Sequence, residues 1–356
     1  MTTRLNLFTA ILVTAPLLST ACGGSRVQAT ETTDPAPILT IYTARDKDAV
    51  AMVVGRFVAR FPQYEGKVNV ITMSAQDALT RLRAEKGNPQ AAFLWGGTQQ
   101  GLEQAAREGL LAPSSPAAAG RLDPSQKDPQ GRWHAEILLP EVIVYNNERL
   151  TADQAPKDWD DLLSPRFKGK ILIRDVMASG TMRTIYSAMV YRQYARTGSA
   201  DAGYDWLRQL DANTVNYAAN PDDMYFKLDR GVGTVTLWNL QDVLVQSRRH
   251  RRPWSYVMPA SGAPVLVDGV GVVNNPKTLA AAAEFQNFLL APEIQMVLAR
   301  DYFQIPAVQL DGAARPDWLA ELRVKPMSIE WAVMGAKQQE WMAYWSQHVQ
   351  GSRGRR

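Results

Sequence analysis

Residues 171–184 read ILIRDVMASGTMRT, and the rest of the chain is organised around them. Ile171, Leu172 and Ile173 form a short apolar run bounded by Lys170 and Arg174. Ser179, Gly180 and Thr181 then open a helical pattern through Met182, Ile185, Tyr186 and Met189. This predicts a buried strand feeding a helix. The first N–H groups of a helix have no partner inside it, so with the Ser179 and Thr181 hydroxyls they can hold an anionic or strongly polar ligand group. The other reading is that Ser179 or Thr181 simply caps the helix, as these residues usually do.

Upstream, strand and helix alternate three times. Residues 38–42 (ILTIY) are strand-like and end in Thr43, Ala44, Arg45 and Asp46; Val50, Val53, Val54, Phe57 and Phe61 then recur at helical spacing until Pro62. Residues 67–73 (KVNVITM) form the next strand. Ser74 with Asp77 makes a capping-box-like start for a helix that carries Leu79 and Leu82 and stops at Gly87, with Pro89 beyond. Residues 91–95 run into Gly96, Gly97 and a helix over residues 99–107. Such alternation predicts a mainly parallel sheet with helices on its faces, whose ligands gather at the carboxyl ends of the strands. The loops at 43–46, 74–77 and 95–97 thus make one rim of a candidate site.

Residues 114–131 are an excursion rich in Pro, Ala, Asp and Gln; strand character resumes at 137–145 (ILLPEVIVY), and a short helix lies between Pro156 and Pro165. Beyond the organising segment come a helix at 201–210, a strand at 215–217, a helix from Pro221 and a strand at 232–237. That last strand delivers Trp238, Asn239, Leu240, Gln241 and Asp242 to a helix start. Asn239 or Asp242 serves there as cap or ligand contact, and Trp238 as core or contact. Residues 265–273 (VLVDGVGVV) read as a strand that changes lobe. Helices at 279–290 and 293–300 follow, and Trp331, Met334, Trp341, Tyr344 and Trp345 mark a final packing helix.

At 356 residues, 46% hydrophobic and 21% charged, the chain is an ordinary globular protein long enough for two lobes. The net charge of +4 owes much to Arg248, Arg249, Arg251, Arg252 and the terminal arginines. With no nucleic-acid motif beside them, these are solvated faces rather than a sign of a nucleic-acid partner. Arg4, the apolar residues 5–18 and the small residues 19–21 have the layout of a signal peptide. Cys22, the lone cysteine, follows directly, and resembles the lipid-modified cysteine of a bacterial lipoprotein. The usual Leu three places before it is Ser19 here, with Leu18 one place further back; plain cleavage nearby that leaves Cys22 free is the alternative. Residues 23–37 form a flexible linker. No later run is long enough to span a bilayer.

Several segments, in order, resemble bacterial extracellular solute-binding proteins of ABC importers, in the branch that includes ferric-ion, phosphonate, polyamine and thiamine binders. They are LTIYTARD (39–46), GNPQAAFLWGG (87–97), WDDLL (159–163) with Lys168, Gly169 and Lys170, Ser179-Gly180-Thr181, PVLVDGVGVV (264–273) and EFQNFLLAPEIQ (284–295). The resemblance covers nearly the whole mature chain. It implies an α/β fold of the type 2 periplasmic-binding-protein class, with two lobes joined by two crossover strands and the ligand in the cleft between them. Lobe one would comprise 38–137 and 265–310, and lobe two 138–264 and 311–350. The protein would be held at the membrane by lipid, act as a monomer, and present its solute to a permease.

The resemblance also frames the ligand. Ferric-ion binders of this family supply adjacent tyrosines where this chain has Gln241 and Asp242, and often a His where it has Asp46; no Tyr-Tyr pair occurs. Asp46, Asp242 and a distant Tyr225 are the oxygen donors left for iron, which stays as the alternative. The residues themselves suit a small organic solute better. Ser74, Gly96 and Gly97 line one rim. Arg45 and Ser179, Gly180 and Thr181 would take an anionic end, Asp46 or Asp242 a cationic end, and Trp95 or Trp238 a wall, beside Asn239. A phosphonate-like or zwitterionic solute fits that set. An enzyme is the competing class, but His134, His250 and His348 neighbour no nucleophile and have no zinc spacing, which leaves only carboxylate chemistry. A binding lobe that feeds a receptor rather than a permease is a third class. No cofactor or resident metal is expected.

Overall fold

The computed structural model describes residues 39–311 and 315–350. The signal-like segment, Cys22, the linker 23–37 and Ile38 lie outside the described residues. The apolar runs become β1 (Leu39–Thr43), β2 (Val68–Thr72) and β3 (Phe93–Thr98), each followed by a helix: α1 (Lys47–Arg60), α2 (Ala75–Ala84) and α3 (Gln99–Arg107). Their starts are fixed by side chains that accept from the first-turn N–H groups: Asp46 for α1, Ser74 for α2, Thr98 for α3. The end of α1 falls just before Pro62, which supplies no N–H to continue it.

β4 (His134–Asn146) leads through short 3-10 turns to β5 (Ile171–Arg174), α4 (Gly180–Thr197), α5 (Asp201–Asn213), β6 (Thr214–Ala218), α6 (Pro221–Asp229), β7 (Val235–Asn239) and α7 (Leu240–Leu244). A π-helical turn at Val245–Arg249 precedes β8 (Trp254–Val257) and β9 (Val265–Val272). The chain closes with α8 (Leu279–Leu289), α9 (Pro292–Tyr302), β10 (Ile305–Pro306), α10 (Asp317–Glu321) and α11 (Trp331–His348). β8, β10 and α10 carry no periodic pattern in the sequence because each is only two to five residues long.

The strand order is β2-β1-β3-β9-β4-β7-β5-β6, with β8 and β10 also pairing with β4. The 13-residue β4 belongs to two sheets: residues from His134 to Pro140 pair with β9, and residues from Glu141 to Asn146 pair with β7 and β8. One lobe is built on each sheet. A mainly parallel sheet is found only on the flanks, where β1 pairs with β2 and β3, and β5 with β6 and β7. The centre is antiparallel, since β9 and β4 run against their neighbours. β4 and β9 join the lobes directly, without the helical crossover that parallel pairing needs. Gly269 marks their close approach: a Cβ there would sit 2.3 Å from the His134 carbonyl oxygen.

Apolar clusters cover both faces of the first sheet, with Phe57, Phe93, Trp95 and Phe285 on one face and Tyr42, Leu79, Leu94 and Leu102 on the other. A separate core surrounds the second sheet and takes in α11 through Met334, Trp341, Met342 and Trp345. Trp345 meets the Tyr186 ring edge-on at 5.3 Å, and truncating such a buried Trp costs about 3–5 kcal/mol. The final helix therefore closes the lobe of the second sheet.

Candidate functional site

The carboxyl ends of strands from both sheets meet across a cleft, and the lobes touch there. A Cβ built on Gly180, the first residue of α4, would lie 2.7 Å from Cγ2 of Thr98, the cap of α3. Gln241 Nε2 donates to the Tyr302 carbonyl at 3.2 Å, and the Arg249 guanidinium lies over the Tyr302 ring, within 3.5 Å of Asp48 Oδ2. These contacts join α4, α7 and the π-helical turn to α3, α1 and the end of α9. The arrangement is a closed one.

On the side of the second sheet, β7 hands the chain to α7 through Asn239, whose Oδ1 accepts from Asp242 N and caps the helix. Asp242 Oδ2 collects three donors: Trp238 Nε1 at 2.7 Å, Asn239 Nδ2 at 3.0 Å and the Tyr225 hydroxyl at 3.0 Å. Burial raises the Asp242 carboxyl above its ordinary value against the lowering effect of those donors, and Asp46 across the cleft adds to the rise. Tyr225, distant in the sequence, is thus in direct contact with Asp242. Its hydroxyl is held far up its own scale by burial, with the Asp242 charge as the next cause.

Glu141 lies where β4 passes from one sheet to the other, opposite Asn239 in the β4–β7 register. It is fully buried, and neither carboxyl oxygen has a hydrogen bond. Burial raises its carboxyl well above the usual range, and the Asp242 charge raises it further. Thr181, 8% exposed, lies beside it and moderates that rise without making a well-formed hydrogen bond.

On the side of the first sheet, Arg45 is consumed internally. Its Nη2 is 2.7 Å from both Glu136 Oε2 and Asp268 Oδ1. Burial alone would lower the Arg45 guanidinium, but Asp268 and Glu136 together hold it above its ordinary value. Trp95 Nε1 and Gln304 Nε2 also donate to Glu136, and Gly97 N donates to Asp268. This network ties the β1–α1 loop to both crossover strands.

The residues expected to form the site divide accordingly. Ser179, Gly180, Thr181, Trp238, Asn239 and Asp242 come together on one side, and Asp46 faces Asp242 from the other. Ser179 caps α4 through its Oγ, which accepts from Met182 N, so its hydroxyl oxygen already has a partner. Asp46 likewise caps α1 through Oδ1. Ser74 caps α2 on the edge strand and bonds to Asp77, whose charge is felt by Arg174 of the opposite lobe. Gly96 adopts φ of +101° in the bulge of β3.

Two expectations are corrected. Trp95 is not a cleft wall: it is 1% exposed, packs against Phe285 and directs its indole N–H to Glu136, because β3 is buried on both faces. Arg45 is not a free anion donor, since two buried carboxylates claim it. Glu136, Glu141 and Asp268, which lie beside the expected site residues, were not singled out from the sequence. For Glu141 and Asp268 the signal is a charged residue inside an apolar strand run, ILLPEVIVY and VLVDGVGVV respectively.

Among the described residues, no group of three or more His, Cys, Asp and Glu side chains is arranged to hold a metal ion, and no helix is long and apolar enough to cross a membrane. An open groove between α1 and the α8–α9 corner, lined by Phe61, Phe288, Arg56 and Glu293, lies away from the strand ends.

Residues 97–327 match the profile of the bacterial extracellular solute-binding proteins. The chain belongs to that family. Its members are the substrate-binding components of ABC importers, and the family is one of binding proteins rather than enzymes. This solute-binding protein is 25% identical over 311 residues to "Probable ABC transporter periplasmic-binding protein y4fP" of Sinorhizobium fredii, with 86% of this chain and 85% of the relative covered. It is 28% identical over 222 residues to "Putative 2-aminoethylphosphonate-binding periplasmic protein" of Salmonella paratyphi A, covering 60% and 62% of the two chains. Among solved structures, the ferric binding protein from Campylobacter jejuni superposes with a TM-score of 0.73 at 20% identity, over 86% of this chain and 98% of that one. That likeness shows the two-lobed type 2 periplasmic-binding fold.

Proposed function

We propose that this solute-binding protein captures a small polar or anionic solute, phosphonate-like or zwitterionic, by closing its lobes and presents it to a membrane permease. The observation that carries the reading is the delivery of the first turn of α4, Ser179 to Thr181, against Thr98 across the cleft. Closure brings unpaired helix-initial N–H groups of one lobe up to the strand ends of the other, where an anionic group of a solute would meet both. A ligand that touches both lobes favours the closed state by its differential affinity, and the permease reads that state. Lipid attachment at Cys22 would keep the protein at the membrane as a monomer. The relative named for 2-aminoethylphosphonate supports the solute class.

The second reading, ferric iron, is favoured by the Tyr225 hydroxyl and Asp242 carboxylate, two hard oxygen donors in contact. A thermal-shift screen separates the two. Phosphonates, amino acids, polyamines and thiamine are compared with ferric citrate, with and without carbonate. A ligand at a hundred times its dissociation constant stabilises by about 2.7 kcal/mol. A shift with a phosphonate or zwitterion that is lost in Thr181→Val supports the organic solute. A shift with ferric citrate alone, lost in Asp242→Ala, replaces that reading with iron.

A further inference from the structure

We propose that Glu141, with Asp242 beside it, forms a subsite for a protonated amine, so that the protein selects amine-bearing solutes over the same anions without the amine. The inference rests on the reading of the cleft as a solute site and narrows the solute to a zwitterion whose cationic end points at β4.

Glu141 is 0% exposed on the strand shared by both sheets, and neither of its oxygens has a well-formed hydrogen bond, with only the Thr181 hydroxyl beside it. Buried carboxyl groups are nearly always satisfied, and an orphan in a core costs the full desolvation of the group. Glu141 lies opposite Asn239 in register and beside Thr181 of the α4 first turn, within the field of Asp242 on α7 and of Asp268 on β9. Thr181, Asn239 and Asp242 belong with Glu141 to the lobe of the second sheet, and Asp268 reaches it from the crossover strand β9.

The local charge is strongly one-sided. Asp242 faces Glu141 from α7, with Asp46 behind it from the β1–α1 loop and the Tyr225 hydroxyl of α6 bonded to it. Asp268 faces Glu141 from β9, but Arg45 is already divided between Asp268 and Glu136. Among the described residues, no cation is paired with Glu141 or Asp242. A second anion from a solute would be repelled from this end of the cleft. An ammonium group would instead supply up to three N–H donors to the Glu141 oxygens and Asp242 Oδ1, and offset the negative charge that burial penalises. Trp238, whose indole N–H donates to Asp242, fixes that carboxylate so that one oxygen is occupied and Oδ1 remains to accept.

A consequence distinguishes this subsite from a merely polar pocket. Without a counter-charge, burial and the Asp242 charge favour the protonated form of Glu141. When the ammonium docks, that proton leaves the carboxyl for solvent and the ammonium N–H donates to the carboxylate left behind. Binding an amine therefore releases a proton, whereas binding an anion without the amine does not.

The test is calorimetric titration of the full mature chain with two matched pairs, 2-aminoethylphosphonate against ethylphosphonate and β-alanine against propionate. The buffers have small and large ionisation heats and contain no amine or phosphate. The inference expects the amine member of a pair to bind roughly ten- to a hundredfold more tightly, the range of one charge-assisted hydrogen bond, with release of a proton. In Glu141→Gln the preference collapses to within a few fold and proton release disappears, while the amine-free member binds as before. Equal binding of both members by the wild-type chain overturns the inference and leaves the solute reading standing. An undiminished preference in Glu141→Gln overturns the assignment to Glu141. No binding of either pair, together with binding of ferric citrate, overturns the solute reading and the inference with it.

Discussion

Gly180 and Thr98, on different lobes, are in such close contact that a methyl group on Gly180 would approach Thr98 Cγ2 to 2.7 Å. The backbone of the first turn of α4 can come this near only because residue 180 has no side chain. Gly180→Ala should therefore leave folding intact, since Ala is well tolerated in a helix, yet hold the lobes slightly apart. Solute affinity should fall roughly tenfold or more, about 1.4 kcal/mol. Adding Thr98→Ser, which removes the methyl and keeps the α3 cap, should restore most of it. Equal affinities for wild type and Gly180→Ala by titration would show that this contact does not belong to the binding-competent state.

The unsatisfied Glu141 predicts a cost in the empty protein. Its carboxyl is raised in the folded state, so the unfolded chain gives up this proton first, near pH 4.3. The contribution of Glu141 to stability is full below that pH and declines as pH rises through the folded value. Asp242 and Asp268, also raised by burial, act in the same direction. Glu141→Gln should raise the melting temperature of the empty protein at pH 8 and have little effect at pH 4. A lower melting temperature at pH 8 would contradict the assignment of an uncompensated carboxyl.

Arg45 holds Glu136 and Asp268 together, and its loss strands two carboxylates, of which Glu136 is wholly buried. Arg45→Met should cost about 3–5 kcal/mol and lower the melting temperature by roughly ten degrees. Lys should not rescue it, because one ammonium cannot reproduce the forked contacts to two carboxylates. If Arg45 were mainly a ligand contact, affinity would fall while the melting temperature held.

His134 begins β4, and its Nδ1 lies 3.2 Å from Gln286 Nε2 in the buried core. Burial pushes the imidazole down to about 4, with Lys127 acting in the same direction. The unfolded chain binds this proton near pH 6.5, so the His134 contribution is present above that value and is lost as pH falls through about 4. The span is worth roughly 3 kcal/mol. Denaturant titrations between pH 7 and 4 should show this acid limb in the wild type and a flatter one in His134→Gln.

Across the cleft mouth, Arg249 lies 4.5 Å from the Tyr302 ring centroid, and Gln241 bonds to the Tyr302 carbonyl. Arg249 is part of the arginine run that reads from sequence as a solvated face. Exposed pairs of this kind contribute only about 0.2–1 kcal/mol. Arg249→Ala should weaken solute binding by no more than about fivefold. The change should appear as faster release, measured by stopped-flow.

The strand-helix units around β1, β2, β3 and β5 were legible because each packs within its own short segment and writes its period locally. The caps Ser74 and Ser179 were equally visible, whereas Asp46, read only as a loop and ligand residue, turns out to cap α1. The antiparallel centre was not, because β4 pairs with β9 more than a hundred residues later and nothing in either run records direction. The same distance hid the fate of Arg45 and Trp95. Both stand at strand ends where ligands gather, but their partner Glu136 lies 91 and 41 residues away. Glu141 announced itself only as a charge in an apolar strand.

The central claim is that solute is taken by closure of the two lobes, and small-angle scattering of the mature chain tests it most directly. The profile should be that of a more open molecule without solute, and should contract on saturation to the profile calculated from the closed arrangement that joins Gly180 to Thr98. Binding of the solute, shown by titration under the same conditions, with no change in the profile would contradict capture by closure.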